Sequence, residues 1–481
     1  MIIKDSKNKV GLYGLVKKYG LLYVLTIYTL LIFVVGVFLV RNKEFRDYLY
    51  FAKTVLSKPS KYIENSYKSM TAQPAKQLSM DIKFEHFKKL EYDREVALSD
   101  GYLIADEYVP AKIRFKNKSY RVKLRLKGDH LDHLEGDKWS FRVRVRDDEA
   151  ILGMRQFSLH HPETRNYIYE WIFHTILKRE DIISLRYDFV NISINGKDLG
   201  IYAIEEHFEK RLIENNQRKD GPIIRFNENF MWDAILFLKK YGNLSSFKQG
   251  SYFSSNIDAF HTNKILSDTT LYTQFNKAVS LLESLRNLEL KASDVFDVDK
   301  ISTFFALTDL LGAEHGSRWH NARFYFNPIT SKLEPIGFDG YPGPIGVHNK
   351  DLIAEEANEY LRAKNQEVKV SAIYYSTILK DDKIFSEYVK KLEKYSKKEY
   401  LDLFFDEIQE DLENNISILY NEWPFYTFDK KMVYNNQSYI RDILDFDTAM
   451  HAHLININRH EIQIAFGNMQ AFPITVQYIT I

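Results

Sequence analysis

Residues 120–127 read Tyr-Arg-Val-Lys-Leu-Arg-Leu-Lys, and this alternation of apolar and basic side chains decides the class of fold. The same alternation recurs in residues 109–115 and 139–146, one stretch before it and one after it. A period of two buries one face of a strand and leaves the other face in water, which is typical of antiparallel sheets. The sequence therefore predicts three antiparallel strands here. The polar linker 128–137 is either a mobile loop over a ligand or a plain hairpin connection.

A helix follows these strands. Residues 167–178 place apolar side chains at helical spacing, and Pro162 and Glu163 suit the turn that opens the helix. Glu170 lies among these apolar neighbours, and a buried carboxylate needs a partner. That partner is either a lysine of the sheet or His174, one turn further along the helix.

A hairpin comes next. Residues 189–194 and 199–204 alternate and flank Asn195-Gly196, the strongest signal for a two-residue turn. The order of strands, helix, hairpin and connector is that of the small lobe of a protein kinase. Order alone is a weak argument, because many α+β domains share it.

The second half of the chain reads mainly as helices. Apolar side chains recur at spacings of three and four in residues 268–290, 298–313, 372–392 and 400–420, and residues 472–481 alternate as a final strand. We therefore expect an α+β chain with a two-lobed, protein-kinase-like fold. Its β-rich N-lobe would occupy residues 78–210, and its mainly helical C-lobe residues 211–481.

Residues 19–40 carry no charge and lie between two lysines and Arg41. This run exceeds the ~20 residues that a helix needs to cross a ~30 Å hydrocarbon core. It is longer than the core of a signal peptide, and no small-residue cleavage site follows it, so we expect one retained transmembrane helix. More basic residues precede it than follow it, which favours a cytoplasmic N-terminus at residues 1–18. Residues 41–77 would form a juxtamembrane spacer, and the bulk of the chain would lie outside the cytoplasm, at the cell membrane.

Composition excludes several classes of protein. Hydrophobic residues make up 45% and charged residues 27% of the chain, which is ordinary for a globular protein and excludes a mostly disordered one. The chain has no cysteine, so disulfides, thiolate metal sites and cysteine nucleophiles are impossible. The net charge of +1 argues against nucleic acid as a partner bound by global charge. No phosphate-binding loop, zinc-protease helix or hydrolase elbow motif is present.

Two blocks of short motifs stand out in order along the chain. The first block spans residues 122–206 and contains Leu126-Lys127-Gly128, Lys138-Trp139, Leu152-Gly153, Arg165-Asn166, Asn195-Gly196, Gly200-Ile201-Tyr202 and Glu206. The second block runs from His320-Asn321 to Asp339. With these motifs the chain resembles the spore coat protein H (CotH)-type atypical kinases, a family that includes enzymes phosphorylating serine on coat proteins.

The resemblance implies a kinase-like fold that binds ATP and Mg²⁺. It implies that Lys138 holds the nucleotide phosphates and that Glu206 lies near the adenine, and we place Glu170 with these cofactor-binding residues. It also implies that Asp339 binds the metal, with Asn321 beside it. The residues alone leave alternatives open. Lys138 also fits a solvated basic face, and Asp339 also fits a turn aspartate bonded to its own backbone.

The catalytic position departs from the family pattern, which has an aspartate shortly before the asparagine. Here Glu314 and His315 stand in that stretch, and His315 is either a general base or a structural histidine. We expect a membrane-anchored phosphotransferase that moves the γ-phosphate of ATP to a hydroxyl of a protein serine or an envelope glycan. The alternative is a catalytically inactive, kinase-shaped binding or scaffold protein of the cell envelope.

Overall fold

The structure, a computed structural model, describes residues 26–31, 59–103, 107–128, 131–241, 252–340, 352–362, 370–445 and 450–469. The chain divides into two compact units, residues 1–71 with 423–426, and residues 72–422 with 427–481. In the first unit, helix α1 (Pro59–Thr71) contacts the segment 423–426. The amide of Asn65 donates a hydrogen bond of 2.7 Å to the carbonyl oxygen of Pro424, and the rings of Tyr62 and Phe425 pack together.

In the second unit, seven strands close into a barrel. They are β1 (Lys76–Asp81), β2 (Val109–Phe115), β3 (Lys118–Leu126), β4 (Phe141–Val145), β5 (Gln156–His160), β6 (Tyr187–Ile194) and β7 (Lys197–Glu206), in the order β1-β2-β3-β4-β5-β7-β6. Neighbours are antiparallel except β1 and β6, whose parallel pairing closes the barrel. The alternation of β2, β3 and β4 buries Ile113, Val122, Leu124 and Val143 in the barrel core and turns their basic neighbours outward.

A second sheet lies in the same unit. Its strands are β8 (Ile223–Phe226), β9 (Ile257–Ala259), β10 (Arg323–Asn327) and β11 (Lys332–Ile336), in the antiparallel order β11-β10-β8-β9. A further hairpin joins β12 (Met450–Ile457) to β13 (Ile462–Asn468). A bridge between Ile183 and Ile336 connects the segment before β6 to β11. The end of β11 therefore lies beside the segment that leads into β6.

Helices make up most of the remaining described residues of this unit. They are α2 (Phe84–Asp100), α3 (Tyr169–Arg179), α4 (Lys210–Asn215), α5 (Asn229–Tyr241), α6 (Thr262–Ser267), α7 (Thr269–Arg286), α8 (Ala292–Val295), α9 (Val298–Leu311), α10 (Glu314–Ser317), α11 (Ile353–Arg362), α12 (Val370–Leu379), α13 (Asp382–Ser396), α14 (Lys398–Glu407), α15 (Gln409–Leu419) and α16 (Lys431–Leu444). Helix α9 is buried on nearly every side, because it packs against α13, α16 and β11. It leads into α10 through Gly312, whose φ of 64° ends the helix in the left-handed region.

The expected fold class needs correction. The mixed α+β composition is confirmed, but the two-lobed protein-kinase-like fold after a transmembrane helix is wrong. The strands close into a seven-stranded barrel, a second sheet interrupts the expected helical region, and both sheets belong to one compact unit. Periodicity shows that a segment is a strand, whereas the parallel contact between β1 and β6 depends on a pairing far apart in sequence.

Within the ranges that the structure describes, no helix is long and apolar enough to cross a membrane. Of the expected span 19–40, only residues 26–31 are described, and they are helical. The rest of that span and the expected final strand at 472–481 lie outside the described residues.

Candidate active site

Asp339 is the centre of a buried polar cluster. Its Oδ1 lies 2.7 Å from Nε of Arg165, and its Oδ2 lies 3.1 Å from Nδ1 of His315. The amide of Asn321 donates to Oδ2 of Asp339 at 3.3 Å and to the backbone carbonyl of His315 at 3.0 Å. We call these four residues the Asp339 cluster. Of the three residues of the Asp339 cluster that form ion pairs, His315 is the most exposed, with 32% of its side chain accessible to solvent.

Close packing of the backbone fixes the position of Asp339. The residue follows β11 in the left-handed region, with a φ of 57°, a conformation that aspartate tolerates better than most residues. A Cβ built on Gly340 would lie 2.4 Å from the ring of Phe173, so this loop rests directly on α3. A Cβ on Gly316 would lie 2.4 Å from the carbonyl oxygen of Phe338. Helix α10 therefore touches the loop from the other side and brings His315 to Asp339.

Arg165 reaches the cluster from a short turn before α3. The turn covers Pro162–Arg165, and the ring of His161 accepts a hydrogen bond from the backbone N–H of Glu163 at its start. Asn166 then adopts a left-handed conformation, with a φ of 52°, and the chain enters α3. Arg165 is buried, and its guanidinium is held against the carboxylate of Asp339.

The cluster is held together by opposite charges. Burial by itself would raise the pKa of the Asp339 carboxyl, but Arg165 and His315, together with the charge of Lys127, hold it well below its usual range. Burial by itself would lower the pKa of His315, but Asp339 raises it above its ordinary value. Asp339 is therefore an anion at neutral pH, and its contact with Nδ1 orients the imidazole.

A second buried ion pair lies in the same electrostatic environment. Nζ of Lys127, directly after β3, donates a hydrogen bond of 2.8 Å to Oε2 of Glu205 on β7. Burial lowers the pKa of the Lys127 ammonium to about 8, although Glu205 opposes this. Burial by itself would raise the pKa of Glu205, but Lys127 and Arg165 lower it. Arg165 and Lys127 each lower the pKa of both carboxyl groups, Asp339 and Glu205. We therefore treat the two ion pairs as one site.

A row of buried polar atoms continues from this site along β5. Ser158 pairs with Glu205 across the sheet, and Gln156 is its neighbour on the same face. The hydroxyl of Ser158, Oε1 of Gln156 and Oε1 of Glu205 have no hydrogen-bond partner in the part of the chain that the structure describes. Buried polar atoms of this kind are costly unless something bonds to them.

The row ends at a cavity of about 840 Å³ whose lining includes Gln156, Phe208 and Phe260. Neither Asp339 nor Lys127 lines this cavity. It is nevertheless a neighbour of the site, since Phe208 packs against Phe338, the residue before Asp339, with ring centroids 5.2 Å apart.

Sequence reasoning named seven candidate residues, and the structure brings three of them together: His315, Asn321 and Asp339. Glu170 lies next to them, because its Oε1 accepts a hydrogen bond of 3.2 Å from the backbone N–H of Gly340. Of the two partners considered for Glu170, the structure has His174, whose Nε2 is 3.2 Å away.

The other three candidates make different contacts. Lys138 donates hydrogen bonds of 2.9 Å to Glu422 and to the carbonyl oxygen of Ile201. Glu206 accepts hydrogen bonds from Arg186, including one of 2.9 Å from its Nε. Glu314 is ion-paired with Arg318 at 2.9 Å, one turn away.

The donor set around Asp339 suits a hard cation that takes oxygen ligands. No group of three histidine, aspartate or glutamate side chains converges as a metal site within the residues described. Mg²⁺ is commonly held by one or two carboxylates, with water and substrate phosphates completing its shell. Asp339 is compatible with that pattern. Asn321 would add its amide oxygen only after its amide group turns over, because its amide nitrogen faces Asp339 here. A structural metal held by protein ligands alone does not fit.

Three functional candidates escaped sequence reasoning: Lys127, Arg165 and Glu205. Lys127 and Arg165 were both in the matching motifs, but the phosphate-binding role was given to Lys138. Glu205 lies beside the chosen Glu206, and alternation along β7 turns the two side chains to opposite faces. No signal in the sequence separates the two lysines. Lys127 follows β3 and Lys138 precedes β4, and only their partners in the fold differ, Glu205 for Lys127 and Glu422 for Lys138.

A comparison with curated proteins finds no match. The family described as CotH kinase protein matches residues 124–448, which is more than half of the chain. The matched region contains β4 to β11 and all of Lys127, Arg165, Glu205 and the rest of the Asp339 cluster. The resemblance to CotH-type kinases is thereby confirmed, and the chain belongs to the CotH kinase protein family.

Proposed function

We propose that the chain is a kinase-like phosphotransferase that moves the γ-phosphate of ATP to a hydroxyl acceptor. The observation that carries the proposal is the buried Lys127–Glu205 pair, held in the same electrostatic environment as Arg165 and Asp339. Phosphoryl transfer depends on cations that hold the phosphates and on a carboxylate that holds the metal, and kinases use a lysine–glutamate pair to position the lysine. The membership of the CotH kinase protein family supports the same activity.

The cations of the site suit a triphosphate. Lys127 presents an ammonium and Arg165 a guanidinium, and each is paired with a carboxylate that fixes its position. Preorganised charges in a buried site stabilise the developing negative charge of the transition state more than exposed ones do. The unpartnered hydroxyl of Ser158 can donate a hydrogen bond to a phosphate oxygen, and the unpartnered Oε1 of Glu205 can accept one from a hydroxyl of the ligand.

Asp339 and Asn321 would hold Mg²⁺, which when bound would supply charge neutralisation to the phosphate oxygens. Arg165 keeps the Asp339 carboxylate in place through the 2.7 Å contact. The aromatic rings of Phe208 and Phe260, in the cavity beside the site, suit the base of a nucleotide.

His315 is the better candidate for the group that meets the acceptor hydroxyl. Its Nδ1 is held by Asp339, and 32% of its side chain is accessible to solvent, so an acceptor hydroxyl can approach the ring. This is the arrangement of a histidine base oriented by a carboxylate. Glu314 is less suited, because Arg318 already binds its carboxylate. The acceptor is a protein serine or an envelope glycan in this proposal.

The test is calorimetry with ATP and Mg²⁺ beside phosphotransfer to serine peptides and to envelope glycans. Lys127→Ala and Asp339→Asn should each lower the rate by about 10²–10³, as the loss of one preorganised charge does elsewhere. Lys76→Ala is the matched control, since it removes an exposed cation of the same barrel. His315→Ala should lower turnover with ATP binding retained, and Glu314→Ala should lower it less.

Two results would count against this function. ATP binding without transfer to any acceptor would favour the alternative, a kinase-shaped binding or scaffold protein. A wild-type chain that neither binds ATP nor transfers phosphate would contradict the nucleotide site itself.

A further inference from the structure

The outer face of β2, β3 and β4 carries an unusual arrangement of charge. Basic side chains stand directly opposite each other across neighbouring strands, as Lys112 opposite Arg121, Lys123 opposite Arg144 and Arg125 opposite Arg142. We call these six residues the basic face. They all turn away from the barrel core, and Lys112, Arg121, Lys123 and Arg144 are exposed. The chain as a whole is almost neutral, at +1, so this concentration of positive charge is local.

Acidic neighbours neutralise only part of the basic face. Arg121 is held by Asp147. Burial lowers the pKa of the Arg142 guanidinium to about 10, although the nearby carboxylate of Glu205 opposes this. The ammonium group of Lys123 has no hydrogen bond or ion pair within the described ranges. Arg144 lies over the ring of Tyr108, at 4.3 Å from the centroid, and likewise forms no ion pair there.

Like charges directly opposite each other in an antiparallel pair destabilise the sheet. The Lys123–Arg144 pair is the centre of the basic face, and it carries this cost without a compensating carboxylate among the described residues. An anionic partner would remove the repulsion on binding. Binding of an anionic partner would therefore account for the like charges that face each other, which the stability of the barrel does not explain.

The spacing of the charges fits an extended polypeptide. Alternate residues on one face of a strand are separated by about 6.8 Å, at ~3.4 Å per residue, and neighbouring strands lie ~4.8 Å apart. A bound peptide in extended conformation has the same interval between its own alternate side chains. Carboxylates at every second position would therefore meet Lys123 and Arg125 on β3, or Arg142 and Arg144 on β4, in register. Guanidinium groups bind carboxylates in a bidentate manner, which adds geometric preference.

We propose that the basic face binds an acidic polypeptide segment in extended conformation, with carboxylates at alternate positions. Lys123 and Arg144 form its centre. The segment binds by side chains alone, because β3 already pairs on both edges with β2 and β4. This binding requires no phosphotransfer. The basic face adjoins the proposed nucleotide site, because Arg144 also lines the cavity and Arg142 lies near Glu205, so peptide binding is measured without nucleotide.

The test is fluorescence anisotropy of a labelled peptide of eight Glu-Ser repeats with the full chain, at low and at physiological salt. A peptide of eight Gln-Ser repeats is its matched control. The acidic peptide should bind at least tenfold more tightly than the glutamine peptide, and its affinity should fall as salt is added, because exposed charges are screened. Equal affinities for the two peptides would overturn the proposal.

Charge reversal on the basic face separates binding from folding. Lys123→Glu turns a like-charged cross-strand pair into an opposite-charged one, so the thermal midpoint should stay the same or rise, while peptide affinity falls at least tenfold. Lys383→Glu on α13 makes the same charge change at an exposed site far along the chain, and affinity should change less than twofold. Lys123→Gln with Arg144→Gln is a second variant that keeps the side-chain stems, and it should also weaken binding at least tenfold.

Inorganic polyphosphate distinguishes the source of the negative charge. Its binding to the basic face is measured as displacement of the labelled peptide, because Lys127 and Arg165 are proposed to bind phosphate elsewhere. It should displace that peptide less well than the unlabelled acidic peptide at equal charge, since its spacing does not match that of the strands. Tighter binding of polyphosphate, or peptide affinity that survives Lys123→Gln with Arg144→Gln, would overturn the assignment of a polypeptide partner.

Discussion

Arg165 and Asp339 form a buried ion pair, with Nε of the arginine 2.7 Å from Oδ1 of the aspartate and less than a tenth of either side chain exposed. The arginine lies in the turn before α3, and the aspartate lies in the loop after β11. The pair therefore joins two elements that are far apart in sequence. Removal of one partner from a buried pair is costly, because the other charge is left without compensation in a poorly solvated place.

Asp339→Ala should destabilise the fold by about 3–5 kcal/mol, the usual cost of leaving one charge of a buried pair alone. Urea unfolding followed by circular dichroism measures this. Asp188→Ala is the control, since Asp188 pairs with Lys76 where both side chains are more than a third exposed, and such pairs contribute at most about 1 kcal/mol. Equal losses of unfolding free energy in the two variants would show that the buried pair contributes no more to stability than the exposed pair.

The low pKa of Asp339 predicts a specific dependence of stability on acid. Burial by itself would raise that pKa, but Arg165, His315 and Lys127 lower it below its value in the unfolded chain, which is ~3.9. The carboxylate therefore contributes stability that is fully present above pH ~4 and is lost as pH falls toward the folded pKa. The difference in thermal midpoint between wild type and Asp339→Asn should be largest near pH 5, because it also shrinks as pH rises through the raised pKa of His315, whose charged form Asp339 stabilises. The difference should shrink below pH 4, and a difference that grows in acid would contradict this.

Local patterns in the sequence predicted much of the barrel wall. The alternation in residues 109–115 corresponds to β2 residue for residue, and the Asn195-Gly196 turn joins β6 to β7 as expected. These features depend on nearest neighbours along the chain. The closure of the barrel does not, because β1 and β6 pair across more than a hundred residues.

The sequence likewise predicted only those residues of the candidate site that short motifs mark. Asp339, Asn321 and His315 could be selected because each occupies a recognisable place in a short motif. The choice between Lys127 and Lys138 could not be made, since both are basic, both lie near strand ends and both belong to matching motifs. Their difference is tertiary: Lys127 meets Glu205, and Lys138 meets Glu422. Arg165 could not be chosen because only the folded loop brings Asp339 to it.

The buried ammonium of Lys127 predicts that nucleotide affinity depends on pH. Burial lowers its pKa to about 8, so the side chain loses its charge at a pH where an ordinary lysine keeps it. ATP affinity measured by calorimetry should fall as pH rises through about 8. Lys127→Arg should remove that dependence, because a guanidinium stays charged. Lys138→Arg is the control, and ATP affinity should still depend on pH in that variant. An unchanged profile in Lys127→Arg would exclude Lys127 as the phosphate-binding cation.

Gly316→Ala tests whether backbone packing brings His315 to Asp339. The added Cβ would lie 2.4 Å from the carbonyl oxygen of Phe338, a backbone atom that cannot rotate away, so α10 and the loop must separate. Asp339 keeps the pKa of His315 above its ordinary value against the effect of burial. Separation should therefore lower that pKa, as followed by nuclear magnetic resonance of the imidazole. Gly467→Ala is the matched control, because nothing lies within 4 Å of its added Cβ. If Gly316→Ala folds and the pKa of His315 does not fall, contact with the loop is not what holds the histidine in place.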